Sequence, residues 1–294
     1  MTLAFKKIWD KELKLNGYPN KFAGTFNISY EELKRFKENY DQGKAEKLIK
    51  KLVKGYVLIV KEAFSGQLVN EIKKKTIDFW KNNPNTFHKM IEGCPDYHRV
   101  ITPEAAKNYS VGAVRHTTYF FKWNNDPCNF NEKIYERWRY SKFVAGLGFN
   151  QFENNTPKDG SVDRIQIVCY PPKYGGVEVH KDTISNSPLA ISCYLSSKNI
   201  DFKTGGFYCM DKHNNKINLE DKIKAGDLSL YCATIDHGVD PIDSDSNVKD
   251  YDWYSGIGRW WMGLFTNDSN LKKNRNTSLS LDKYHSENII ETRN

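Results

Sequence analysis

The spacing of hydrophobic positions changes character near residue 162. Before that point, helical spacing dominates. Ser29 followed by Glu32 has the form of a capping box, which predicts a helix over about residues 30–40. Between Lys44 and Lys54, Leu48, Ile49, Leu52 and Val53 recur at helical spacing among lysines. Such a basic amphipathic stripe can lie on a membrane, but packing against a core is the preferred reading. Gly55 then breaks the pattern, and residues 56–60 read as a buried strand. Further helices are predicted over residues 64–80, with Leu68, Val69, Ile72, Ile77 and Trp80 apolar, and over residues 131–144. Residues 1–30 show no clear period, and residues 83–131 read as irregular.

From Val162 onward, short β-rich runs alternate with turn residues, at 163–170, 176–182, 189–196, 206–210, 228–233 and 257–266. Regular short strands separated by turns predict a sandwich or barrel. The fold class expected is therefore mainly β with α. One domain is read over residues 1–294: a helical buttress with substrate-region loops (1–160), a β core (161–268) and a polar, loosely ordered tail (269–294).

Composition supports a globular chain. Its 294 residues include 7 Trp, 17 Tyr and 16 Phe, enough bulk for a sizeable core. No run has the length of a transmembrane helix, and the N-terminus lacks the apolar segment of a signal peptide, so a cytoplasmic protein is expected. The six cysteines form no CxxC pair and several fall in apolar runs, which favours buried thiols. A net charge of +8 suits an anionic partner, but the lysines are dispersed and no nucleic-acid-binding motif accompanies them. No nucleic-acid partner is expected.

The candidate chemistry centres on His180 and Asp182. On an extended strand, side chains at i and i+2 leave the same face, so this pair can converge on one point. A second histidine would complete a 2-His-1-carboxylate facial triad, the ligand set of non-haem Fe(II) oxygenases. His237 is the candidate, far enough along the chain for intervening strands to fold back. Arg259 stands in the apolar run Gly258-Arg259-Trp260-Trp261, and a buried guanidinium needs an anionic partner; its fork matches a carboxylate. In the irregular segment, His88, Cys94, His98 and Cys128 lack zinc spacing. Arg99, Arg115 and His116 are candidates to reach a substrate, against an equally good reading as surface polar residues.

Taken in order, the set of Tyr170, His180 with Asp182, Tyr194 with Leu195, Gly205-Gly206-Phe207, Gly226-Asp227, His237-Gly238-Val239 and Arg259 resembles the 2-oxoglutarate- and Fe(II)-dependent dioxygenases, in their prolyl-hydroxylase-like branch. The resemblance spans about residues 163–266. It implies a double-stranded β-helix, the jelly-roll or cupin-like core, buttressed by N-terminal helices. It implies that His180, Asp182 and His237 hold Fe(II), that Arg259 pairs with the distal carboxylate of 2-oxoglutarate, and that Tyr170 and Tyr194 belong to the cosubstrate site. Many relatives carry Ser or Thr two residues after the arginine. Trp261 stands there in this chain, so Tyr194 is expected to supply the missing donor. O2 is the implied co-oxidant, with ascorbate a candidate reductant.

The reading is an oxygenase that abstracts hydrogen from an unactivated C–H of a small molecule, an amino acid or natural-product intermediate, giving hydroxylation, desaturation or ring closure. Asp182 disfavours halogenation, since the related halogenases replace that carboxylate with a small residue. Other readings are a prolyl or protein-residue hydroxylase, a zinc hydrolase, which leaves Arg259 and the tyrosines without a role, and a non-catalytic jelly-roll binding protein.

Overall fold

The computed structural model describes residues 2–273, 275, 278, 280 and 281. The chain begins with α1 (Thr2–Asn16), β1 (Gly24–Ser29), α2 (Tyr30–Glu38), α3 (Gln42–Val53), β2 (Tyr56–Lys61) and α4 (Gly66–Asn82). It continues with β3 (Tyr97–Ile101), the single turn α5 (Pro103–Ala106), β4 (Ala113–Phe120) and α6 (Asn131–Val144). The β-rich half holds β5 (Ser161–Tyr170), β6 (Gly176–His180), β7 (Leu189–Tyr194), β8 (Gly206–Met210), β9 (Lys216–Asn218), β10 (Leu228–Cys232), β11 (His237–Asp240) and β12 (Arg259–Asp268).

The strands run in the order β1-β2-β10-β7-β12-β5-β4-β6-β11-β8-β9, with β3 pairing onto β4. β4 is the hinge of this path. Its residues His116–Phe120 pair with β5, while Ala113 and Val114 pair with β6. One strand thus turns the chain from a larger sheet, β2-β10-β7-β12-β5, into a smaller one, β6-β11-β8-β9. The two sheets face each other as a jelly roll, the arrangement expected from the strand count.

Local signals explain the helices that flank the larger sheet. Ser29 caps α2, its side chain accepting from the Glu32 amide while Glu32 reaches back to the Ser29 backbone. Leu48, Ile49, Leu52 and Val53 of α3 are buried against β2 and β10, so the basic stripe packs on the core. Trp80 of α4 stacks on Trp260 of β12, centroids 5.1 Å apart at 9°. All six cysteines are buried free thiols.

The N-terminal half carries more β structure than expected. Four of its segments, β1 to β4, extend the larger sheet, and β1 lies parallel to β2. α1 also replaces an expected irregular stretch. Its apolar stripe is short (Phe5, Ile8 and Trp9), its next buried position is Glu12, and its first turn has no acidic residue. Phe5 is nevertheless a hub, with edge contacts to Phe36, Tyr40 and Phe143. β4 escaped the pattern for another reason: polar residues such as Arg115, His116, Thr117 and Thr118 occupy both of its faces. No helix among the described residues is long and apolar enough to cross a membrane.

Candidate metal centre and its cavity

His180 ends β6 and His237 opens β11, and the two are paired residues across that antiparallel ladder. Paired residues project side by side, which brings the imidazole centroids to 4.4 Å. Asp182 lies two residues beyond the end of β6, where its amide donates to the Ala233 carbonyl at 2.9 Å. The sequence places this residue on the strand itself; here the strand has ended, and the Ala233 carbonyl sets the carboxylate in place. Asp182 Oδ1 is 3.7 Å from His180 Nε2, and Oδ2 is 3.6 Å from His237 Nε2. One ligand atom from each residue lies within 4.8 Å of the others.

The tautomers follow from the outer contacts. His180 Nδ1 is 2.8 Å from the Glu178 carbonyl, and His237 Nδ1 is 2.8 Å from the Ile235 carbonyl. A carbonyl only accepts, so each Nδ1 carries the proton and each Nε2 presents a lone pair toward Asp182. Ligating imidazoles are typically tethered in this way. Burial, reinforced by neighbouring His237 and opposed by Asp182, pushes His180 down to about 4, so it is neutral and able to ligate near neutral pH. The Ser278 hydroxyl donates to Asp182 Oδ1 at 3.3 Å, and Ser280 bridges to the His180 backbone. These two residues of the expected loose tail therefore stand at the centre; residues 282–294, which complete that tail, lie outside the described residues.

A cavity of about 260 Å³ opens beside these three residues. Arg259 lines it, 2 % exposed. The anionic partner expected for this guanidinium is present within the chain: Nε donates to Glu220 Oε1 at 2.6 Å, and that oxygen also accepts from the Phe207 amide. Nη1 of Arg259 is buried without a partner, so one donor is left over for a ligand. Tyr170 lines the cavity and lies 5.6 Å from the Arg259 guanidinium carbon. Tyr194 does not line it. Its hydroxyl lies 2.8 Å from the Ser229 hydroxyl, with either group able to donate, so the expected cosubstrate donor stands behind the cavity wall. Trp261, two residues after Arg259, also lines the cavity.

Two of the three candidate substrate residues fall elsewhere. His116 faces away from the cavity, because alternation along β4 sends it to the side opposite Arg115. It stacks on Trp80 at 3.7 Å, contacts His98 through Nε2 at 2.9 Å, and donates from Nδ1 to the Trp253 carbonyl at 2.8 Å. Arg99 packs over the rings of Phe87 and Tyr109 and is not part of the lining. Arg115 does line the cavity, and so does Arg164, which the sequence pattern did not single out. The signal was present in retrospect: Arg164 is a cation at an inward position of the apolar run 162–170.

No family model matches the sequence, and no curated protein matches it. Solved structures do. A full-length Neurospora crassa protein, in complex with alpha-KG and thymine, superposes with a TM-score of 0.50 at 12% identity, covering 92% of this chain and 98% of that one. A prolyl hydroxylase from Trichoplax adhaerens, in complex with a hypoxia inducible factor oxygen degradation domain peptide fragment, gives 0.47 at 14% identity over 77% of this chain and 91% of that one. A putative 2OG-Fe(II) oxygenase family protein from Caulobacter crescentus gives 0.45 at 10%, over 91% and 99%. At such identities the likeness is one of architecture: this chain shares the fold of the Neurospora crassa protein.

Proposed function

We propose that this chain is an Fe(II)- and 2-oxoglutarate-dependent oxygenase of a small molecule, with His180, Asp182 and His237 as the iron ligands. The observation that carries the reading is the pair of tethered imidazoles. Both rings are fixed by a carbonyl two residues earlier, and both turn Nε2 toward one carboxylate at the edge of a cavity. The donor set fits the ion: two neutral imidazoles and one carboxylate on one side leave the other side open. Bound there with 2-oxoglutarate and O2, iron would supply the oxidant that removes hydrogen from an unactivated C–H bond.

The chain's own residues do the rest. Arg259 offers its unused Nη1 to the distal carboxylate of 2-oxoglutarate, and Tyr170 closes the wall beside it. Trp261, Tyr231 and Phe207 form an apolar wall that excludes water from the reacting end. A cavity of about 260 Å³ suits a small molecule better than an extended peptide, which supports small-molecule turnover over prolyl or protein-residue hydroxylation. Whether the product is hydroxylated, desaturated or cyclised depends on where the substrate C–H lies.

The test is succinate formation from 2-oxoglutarate under Fe(II) and O2. Wild-type protein should form it, and His180→Ala and Asp182→Ala should lower the rate by at least a hundredfold. Wild-type turnover in either variant would remove the ligand assignment.

A further inference from the structure

Among the described residues the cavity is lined by four cations, Arg115, Lys142, Arg164 and Arg259, and by a single carboxylate, Asp182. Two of the cations are already neutralised. Lys142 is ion-paired with buried Asp163, and Arg259 with Glu220. Asp182 is taken by the metal in the proposed function. Arg115 and Arg164 remain. Each has its Nε buried and without a hydrogen-bond partner. Arg164 makes one side-chain hydrogen bond, from Nη2 to the neutral Gln166 at 2.9 Å, and lies over the rings of Tyr119 and Phe265. Burial holds its pKa below the usual arginine range; of the charged groups nearby, Arg115 and Arg275 add to that, and Tyr119 and Tyr97 oppose it. No carboxylate is among them.

An uncompensated pair of guanidiniums in a partly dry cavity is unfavourable unless a ligand anion completes it. We infer that Arg164, aided by the charge of Arg115 on β4, forms a carboxylate-binding subsite for the substrate at the end of the cavity away from Arg259; the identity of that carboxylate as substrate rests on the oxygenase reading. Register separates the two ends. Arg259 pairs with Tyr170 at the close of β5, whereas Arg164 pairs with Phe265, six residues along the same ladder. Six residues of strand span roughly 20 Å, more than the length of 2-oxoglutarate. Arg115 lines the cavity from β4, where the adjacent His116 pairs with Cys169 near the close of β5. Charge counting selects a monoanion. Fe(II), Asp182 and doubly charged 2-oxoglutarate leave one negative charge, and the two arginines turn this into one positive charge. A single substrate carboxylate brings the cavity to neutrality. The ring of Phe265 and the indole of Trp261 flank the arginines' side of the cavity, so an apolar or aromatic body attached to that carboxylate fits the lining.

The experiment is thermal stabilisation of the metal-free full chain by phenylacetate, by neutral phenylacetamide and by phenyl phosphate. Omitting metal separates it from the test of succinate formation, which can succeed or fail by itself. Phenylacetate should raise the melting temperature in a concentration-dependent way and phenylacetamide should not. Half-saturation should move at least tenfold higher in Arg115→Gln and in Arg164→Gln, and stay in place in Arg99→Gln, whose side chain packs outside the cavity. Should Arg164→Gln fail to fold, Arg164→Lys keeps the charge but loses the fork, and a severalfold weaker response is expected. Saturating 2-oxoglutarate should leave the phenylacetate response intact. Equal responses to the acid and the amide, an unchanged response in the arginine variants, or displacement by 2-oxoglutarate would each overturn the subsite. A preference for phenyl phosphate would overturn its assignment to a carboxylate.

Discussion

Arg259 carries a counter-charge before any cosubstrate arrives, and this sets the energetics at the deep end of the cavity. Glu220 and the distal carboxylate of 2-oxoglutarate would share one guanidinium, and two carboxylates within several ångströms repel. Glu220→Gln keeps an acceptor for the Arg259 Nε and for the Phe207 amide while removing the charge. We expect the KM for 2-oxoglutarate to fall about fivefold, equivalent to about 1 kcal/mol, with a lower melting temperature because the guanidinium is then unpaired; a raised KM would show instead that Glu220 holds Arg259 in position. A second residue-scale expectation concerns the buried imidazole pair. Burial, with the charge of His98 adding, pushes His116 down to about 3, and His98 is lowered too. Groups with depressed folded pKa values stabilise the protein above their unfolded value near 6.5, and that stability drains away as pH falls toward the folded value. Between pH 7 and 5, His116 alone should cost about 2 kcal/mol. Melting curves across that window should fall more steeply for wild type than for His116→Gln. The pair makes three short contacts, and two neutral rings supply only two N–H protons. Stability that rose on acidification would mean that it holds a third.

At the scale of elements, the start of β12 decides where Arg259 stands. Gly258 has φ +129°, and a Cβ there would lie 2.1 Å from the Tyr170 carbonyl. Only glycine allows β12 to meet the end of β5 this closely. Gly258→Ala should shift the strand opening, raise the KM for 2-oxoglutarate at least tenfold and spare the fold of the remaining ladder, as read by kinetics and circular dichroism. The helical caps are more local. Ser29→Ala should cost about 1 kcal/mol in denaturant unfolding, since it removes one half of a reciprocal cap on α2. This was among the elements legible in the sequence, because a capping box is a four-residue signal that needs no distant partner. β4 was illegible for the opposite reason. One of its faces meets the cavity through Arg115 and the other meets α4 through His116 and Thr118, so neither face reads as apolar.

For the whole molecule, the larger sheet gathers strands from both halves of the chain. β10 pairs with β2 on one side and β7 on the other. The hydrophobic cluster accordingly runs from Phe5 and Trp9 of α1 to Met262 and Leu264 of β12. The expected division into helical buttress and β core is therefore crossed by the sheet itself. Metal should act on this assembly as a ligand that binds only the folded state. Manganese(II), which binds such sites without turning over, should add about 2.7 kcal/mol at a hundred times its dissociation constant. Calorimetric melting should show that gain in wild type and lose it in Asp182→Ala.

The sequence by itself determined the donor types and their order: a histidine and an aspartate two residues apart, a distant histidine, and an arginine opening an apolar run. Those features depend on identity and short spacing, which a single chain displays. It also determined the β character of the second half, since alternation and turn residues are local. Tertiary structure alone decided which side of β4 each residue faces, that Tyr194 lies beside Ser229 and outside the cavity lining, that Glu220 meets Arg259 across 39 residues, and that Arg164 and Arg115 both line the cavity. Each of these depends on register between strands far apart in the chain, where a shift of one residue would turn every side chain to the opposite face.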